Sequence, residues 1–123
     1  MRENVILEKS FAFAVRIVKL SRYLRDDHQE YVLSRQLLRS GTSIGANVQE
    51  AQAAQTPKDF AAKMSIASKE ARETKYWIDL LLHTDYLSSE DTHAKSLLAD
   101  IDSLNKLLTS IVKTSQENLK NAQ

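Results

Sequence analysis

The apolar residues of this chain recur every three to four positions almost throughout, which is the period of an α-helix. Only two glycines and one proline are present, too few to punctuate a β-rich fold. Short polar segments divide the pattern into four stretches, which we predict as helices at about residues 4–25, 30–54, 57–84 and 89–117. Four long amphipathic helices joined by short loops predict an all-α single domain over residues 1–123, an antiparallel up-down-up-down four-helix bundle.

Each predicted helix carries one apolar stripe that we assign to the core. In chain order the stripes are Ile6, Phe13, Ile17, Leu20 and Leu24; Leu33, Leu37, Ile44, Val48 and Ala51; Phe60, Met64, Ala67, Ala71, Thr74, Ile78 and Leu81; and Ala94, Leu97, Ile101, Leu104, Leu108 and Ile111. Thr56 followed by Pro57 is typical of a helix N-terminus. We expect Ser88 or Ser89 to cap the fourth helix, and the chain beyond about residue 117 to fray.

The first helix carries a second apolar stripe beside its core stripe. It consists of Leu7, Phe11, Ala14 and Val18. Together the two stripes are wider than the apolar face that one surface helix buries against its own domain. We therefore expect this helix to contact something beyond its own bundle.

The middle of the second helix contains two glycines four residues apart, Gly41 and Gly45, with Ser43 and Ile44 between them. A glycine inside a helix costs about 1 kcal/mol relative to alanine, so a compensating interaction is expected. A ridge of small residues allows two helix backbones to approach closely, and we predict such an approach here. The alternative is a kink or a weak helix centre.

Polar side chains border the apolar stripes of the second and third helices. They are Asn47 and Glu50 on the second helix, and Glu70 and Glu73, in one stripe with Trp77, on the third. A buried carboxylate needs a partner, which we expect to be Arg35, Arg39, Arg72 or a group of a neighbouring subunit. Catalytic carboxylates are one interpretation. We favour the other, a polar network that fixes helix register or assembly.

The net charge of +1, from 17 basic and 16 acidic residues, does not by itself indicate a nucleic-acid-binding protein. Six of the seven arginines nevertheless lie in the first 40 residues, and Arg2, Lys9, Arg16 and Tyr23 recur every seven residues. Such a stripe, with the lysines of the fourth helix, could follow a phosphate backbone, although a solvated helix face looks the same. The candidate nucleic-acid-binding residues are Arg2, Lys9, Arg16, Lys19, Arg22, Arg35 and Arg39.

Motifs for catalysis and metal binding are weak. The chain has no cysteine, no Glu-x-x-His pair and no phosphate-binding loop. Arg22 and His28 match the loose Arg-x(4–6)-His pattern of HEPN ribonucleases, but so short a motif often arises by chance. We expect no enzymatic activity, metal or cofactor. No signal peptide or membrane-spanning run is apparent, which favours the cytoplasm.

Two segments resemble a known family. Residues 39–51, RSGTSIGANVQEA, are similar to the second helix of the bacterial four-helix bundle proteins encoded by intervening sequences of 23S rRNA genes, and residues 66–77, IASKEARETKYW, resemble the third. Gln49 and Ala51 depart from the alanine and glycine that are common there. The resemblance implies a homopentamer without established enzymatic activity. It also implies kinship with the accessory protein of diversity-generating retroelements, a basic barrel that binds nucleic acid and a reverse transcriptase.

The function that we expect is therefore that of a non-enzymatic homo-oligomer, a pentamer by the resemblance. It would bind RNA or a nucleoprotein partner, such as a reverse transcriptase complex, through basic surface. The alternative is a protein-interaction scaffold that makes no contact with nucleic acid.

Overall fold

The computed structural model describes the backbone of residues 2–122 and the side chains of residues 5–122, and all regular structure in that part is α-helical. The helices are α1 (Arg2–His28), α2 (Leu33–Gln52), α3 (Pro57–His83) and α4 (Thr92–Asn121). Each helix packs against the next, and α4 packs back against α1. The predicted four-helix bundle is confirmed, and at 1.5 Å per residue it is about 40 Å long.

The core is built from the predicted stripes. Leu20, Leu33, Phe60 and Ile111 are half-buried, and every other residue that we assigned to the core is buried. The largest completely enclosed side chains come from all four helices, among them Phe13, Ile44, Met64 and Ile101. Helical periodicity alone therefore identified the buried face of each helix.

Four helix ends differ from the prediction by three residues or more, including the start of α4, which is Thr92. Helix α1 continues through the segment assigned to a loop and stops before Gln29, whose φ of 51° is left-handed. Helix α2 begins at Leu33 because Glu30 stays outside it, where its carboxylate accepts a hydrogen bond of 2.8 Å from the backbone N–H of Ser34. Helix α4 continues to Asn121, past the predicted frayed end.

The predicted cap of α4 is also wrong. Asp91 caps the helix, accepting from the N–H of Ala94 at 3.2 Å. Ser88 instead accepts from the N–H of Glu90 and so stabilises the preceding turn. The start of α3 is as predicted, with Thr56 accepting from the N–H of Asp59 at 3.0 Å.

Helices α1 and α2 approach closely at both glycines. A Cβ atom at Gly41 would lie 2.7 Å from Cγ2 and 2.8 Å from Cγ1 of Ile17. A Cβ atom at Gly45 would lie 3.3 Å from the backbone oxygen of Ser10. The predicted close approach is confirmed: α1 occupies the space that larger residues on α2 would fill.

We predict that Gly41→Ala lowers the free energy of unfolding by about 1–2 kcal/mol, because overpacking against Ile17 exceeds the gain in helix propensity. Ile17→Ala removes the two nearest carbons and leaves only the Cβ of residue 17, at 3.2 Å, so in that background Gly41→Ala should stabilise the protein by up to about 1 kcal/mol. Chemical denaturation of the four variants of this cycle measures both effects. A Gly41→Ala variant more stable than the parent protein would contradict the close packing.

Candidate interaction surfaces

The second apolar stripe of α1 lies mostly outside the core. Phe11 is 71% exposed and Val18 is 38% exposed, while Leu7 and Ala14 are half-buried. Beside it runs a hollow of about 590 Å³ whose walls include Leu7, Phe11 and Ala14 from α1 and Thr42, Gly45 and Ala46 from α2. We call this feature the α1–α2 groove. Its glycine and alanines leave room for a side chain from another molecule.

A second exposed apolar surface lies on α3. It consists of Tyr76, Trp77 and Leu80 at one end and of Ile66 about three turns away, with Glu70 and Glu73 between them; Ile66 is 44% and Tyr76 58% exposed. The rings of Tyr76 and Trp77 pack edge to face with centroids 5.0 Å apart. We call these four residues the α3 strip. The α1–α2 groove and the α3 strip share no residue, so the chain has two unlike apolar surfaces.

A polar network joins α2 to α3 next to the α3 strip. Arg39 pairs with both Glu70 and Glu73, and the indole N–H of Trp77 donates to Glu73 at 3.0 Å. Inside this network the buried hydroxyl of Thr74 donates to that of Ser40 at 3.0 Å. Of the three arginines expected as partners, Arg39 is therefore the one that the carboxylates use. The network joins side chains of two helices, and such directional contacts favour one register of α2 against α3.

The other members of the predicted polar cluster lie apart from this network. Asn47 donates within its own helix, to the carbonyl of Ser43 at 2.8 Å. Glu50 is 3.7 Å from Lys63 and its side chain is 62% exposed. Ser43 donates to the carbonyl of Arg39 at 2.6 Å, and Ile44 is part of the core. The two glutamates of α3 thus belong to the network, whereas Asn47 makes a contact within α2 and Glu50 a separate contact with α3.

Arg16, which we assigned to a basic surface, instead connects α1 to α4. Its guanidinium donates to Asp100 at 2.5 Å, to Ser96 at 3.1 Å and to the carbonyl of His93 at 3.2 Å. Arg39 is likewise paired with two carboxylates. Two of the seven candidate nucleic-acid-binding residues are therefore engaged in contacts between helices, which the sequence pattern could not show because their partners are distant in the chain.

The remaining candidates form a smaller basic surface. Lys9, Lys19, Arg22 and Arg35 are exposed and form no ion pair with any of the side chains of residues 5–122, and the side chain of Arg2 lies outside the described part. Sequence reasoning missed Arg25. It lines a hollow of about 440 Å³ together with Arg35 and Tyr31, an exposed ring suited to stacking. The arginine-rich end of α1 was the signal for it.

Basic residues also face the seam between α3 and α4. Arg72, Lys113 and Lys120 line a hollow of about 340 Å³, together with hydroxyl and amide side chains and Glu117. Farther along this seam Lys75 donates to Asp79 at 2.9 Å. The pKa of Lys75 is raised, chiefly by that hydrogen bond. Burial lowers the pKa in part, and attraction to the charges of Asp79 and Asp102 raises it further.

Arg22 and His28, the ribonuclease-like pair, have different surroundings in this structure. His28 shares a hydrogen bond of 2.9 Å with the hydroxyl of Tyr23, and its ring packs against Tyr86, whereas Arg22 is exposed and makes neither contact. In the described part of the chain no three His, Asp or Glu side chains are grouped to hold a metal ion. Within the same residues, no helix is both long and apolar enough to cross a membrane.

Comparison with known proteins finds a family model and solved structures that match this chain. The family model described as 23S rRNA-intervening sequence protein matches residues 2–110. The chain is also similar to a crystal structure from Bacteroides thetaiotaomicron VPI-5482, described as a protein with unknown function from the S23 ribosomal protein family. The two chains are 50% identical over 92% of this chain and 99% of the other, with a TM-score of 0.86. No curated protein matches the chain.

We predict that Arg39→Ala lowers the free energy of unfolding by about 1–2 kcal/mol, because it leaves Glu70, whose side chain is only 13% exposed, beside Glu73 without a counter-charge. Arg35→Ala, one turn away on the same helix, is the matched control and should cost less than about 0.5 kcal/mol. Urea titrations of the two variants test this. Equal losses in both would show that the network does not stabilise the fold.

Proposed function

Because the chain belongs to the 23S rRNA-intervening sequence protein family, we propose that it is a non-enzymatic homo-oligomer, a ring of five subunits, that binds RNA or a nucleoprotein partner through basic surface. The observation that carries the proposal is the pair of unlike apolar surfaces on one subunit, the α1–α2 groove and the α3 strip. Each exposes large apolar side chains that a monomer would leave in water.

Two unlike surfaces favour a head-to-tail contact, in which the α3 strip of one subunit enters the α1–α2 groove of the next. Such a heterologous contact produces a ring when its rotation closes. Both surfaces lie next to α2. Residues of α2 form part of the groove. Trp77 of the α3 strip donates a hydrogen bond to Glu73, and Glu73 pairs with Arg39 on α2. Contacts through adjacent sides of a bundle rotate each copy relative to the next, which suits closure of a ring after a few copies.

The number five and the class of partner come from the family resemblance. The proposed relationship to the accessory proteins of diversity-generating retroelements would make a reverse transcriptase complex one such partner. Binding to rRNA or to that complex would place the protein in the bacterial cytoplasm.

The basic surface of the proposal is the set of exposed cations at the end of the α1–α2 pair, Lys19, Arg22, Arg25 and Arg35. Arg25 and Arg35 share a hollow with Tyr31, which combines phosphate-binding cations with a ring for stacking on an unpaired base. The pairing of Arg16 and Arg39 with carboxylates supports the second candidate, a scaffold without nucleic-acid contact, because it removes two cations from the surface.

For assembly, we predict a mass of about 70 kDa by light scattering, five times the chain mass of 13.9 kDa. Phe11→Glu places a charge in the groove and should yield monomer. Val32→Glu is the matched control, since Val32 is 70% exposed against 71% for Phe11 but lies outside both apolar surfaces. A parent protein that is monomeric at micromolar concentration would overturn the assembly.

For RNA, we predict weak binding whose affinity falls steeply with salt, and a loss of about tenfold in Arg22→Glu combined with Arg35→Glu. Lys58→Glu with Lys95→Glu changes the net charge equally at exposed sites elsewhere and should cost less than about threefold. Fluorescence anisotropy with single-stranded RNA measures both, and light scattering checks that assembly is unchanged. Salt-insensitive binding, or none in 50 mM salt, would favour the scaffold.

A further inference from the structure

A separate cavity of about 570 Å³ lies near the C-terminal end of α1, where the α3–α4 loop folds over the seam between α1 and α4. Backbone hydrogen bonds hold this loop in place. Asp85 adopts a left-handed φ of 67°, and the N–H groups of Tyr86 and Leu87 both donate to the carbonyl of Leu81, at 3.0 and 3.2 Å. The cavity is thus bounded by ordered elements and is of the size that proteins use for small ligands.

One wall of the cavity is aromatic. The ring of His28 packs edge-on between those of Tyr23 and Tyr86, with centroid distances of 5.0 and 5.7 Å. Leu20, Leu87 and Leu97 supply apolar lining. Aromatic faces carry partial negative charge and attract cations, whereas aliphatic side chains accommodate an alkyl chain.

The charged groups of the lining are Arg16, Asp85 and Asp91. Arg16 is already neutralised by Asp100, which lies outside the cavity. Asp91 uses one carboxylate oxygen as the cap of α4. Asp85 forms no ion pair with the side chains that the structure describes. With the histidines counted as neutral, the cavity therefore has an excess of negative charge, which disfavours anions.

From the aromatic wall, the apolar lining and the unbalanced carboxylate, we infer that this cavity binds an aliphatic ammonium compound of the polyamine class. One ammonium group pairs with Asp85 against the rings of Tyr23 and Tyr86, and the alkyl chain lies on the leucines. The site is formed within one subunit, so the inference does not depend on the ring or on RNA binding.

The test is isothermal titration calorimetry of the protein, freed of nucleic acid, with spermidine. We expect saturable binding of one spermidine per chain, weakened about fivefold by Asp85→Asn and by Tyr23→Leu. Asparagine tolerates the left-handed backbone at this position, and the partly exposed Tyr23 can be replaced without opening the core, so both variants should fold. Unchanged thermal midpoints verify this.

The matched control is Glu90→Gln, which removes a carboxylate from the same loop outside the cavity and should change affinity by less than twofold. Equal weakening in Glu90→Gln and Asp85→Asn would show general charge attraction and overturn the site. Absence of saturable binding would also overturn it. So would tighter binding of AMP, used as an anionic probe, than of spermidine to the parent protein.

Discussion

The close approach of α1 to α2 at the two glycines is the constraint on which the rest of the structure depends. Ile17 fits into the space above Gly41, and Gly45 lies against the backbone of Ser10, so the packing restrains the rotation of α1 about its axis. That rotation directs the stripe containing Phe13 and Ile17 into the core and leaves Phe11 in water beside α2. The exposed apolar surface of α1 is therefore a consequence of how tightly α1 and α2 pack.

Polar contacts between helices further restrict how the helices pack. Arg16 joins α1 to α4, while Arg39 with Glu73 and Ser40 with Thr74 join α2 to α3. These contacts are directional, whereas packing of apolar side chains is not, so they select one register among several that would bury similar area. They also reduce the basic surface, because an arginine that holds two helices together is not available to a phosphate group.

The sequence predicted what depends on local or periodic features. Apolar spacing identified the buried faces, and the Thr56–Pro57 start of α3 was correct because a cap and its helix are neighbours in the chain. The start of α4 was wrong because Ser88, Ser89 and Asp91 are all competent caps, and only the path of the loop decides among them. The roles of Arg16 and Arg39 could not be predicted, since Asp100 and Glu73 are 84 and 34 residues away. The cavity beside Tyr23 could not be predicted either, because it depends on the left-handed backbone conformation of Asp85 in the α3–α4 loop.

The central claim is that unlike surfaces of neighbouring subunits meet, and complementation between two defective variants tests it most directly. Phe11→Glu disables the groove but leaves the α3 strip intact, and Tyr76→Glu disables the strip but leaves the groove intact. Sedimentation velocity at high protein concentration should show each variant alone as a monomer. Their equimolar mixture should form a heterodimer of about 28 kDa, twice the chain mass of 13.9 kDa, and nothing larger. A mixture that remains monomeric, while the parent protein assembles, would contradict the head-to-tail contact.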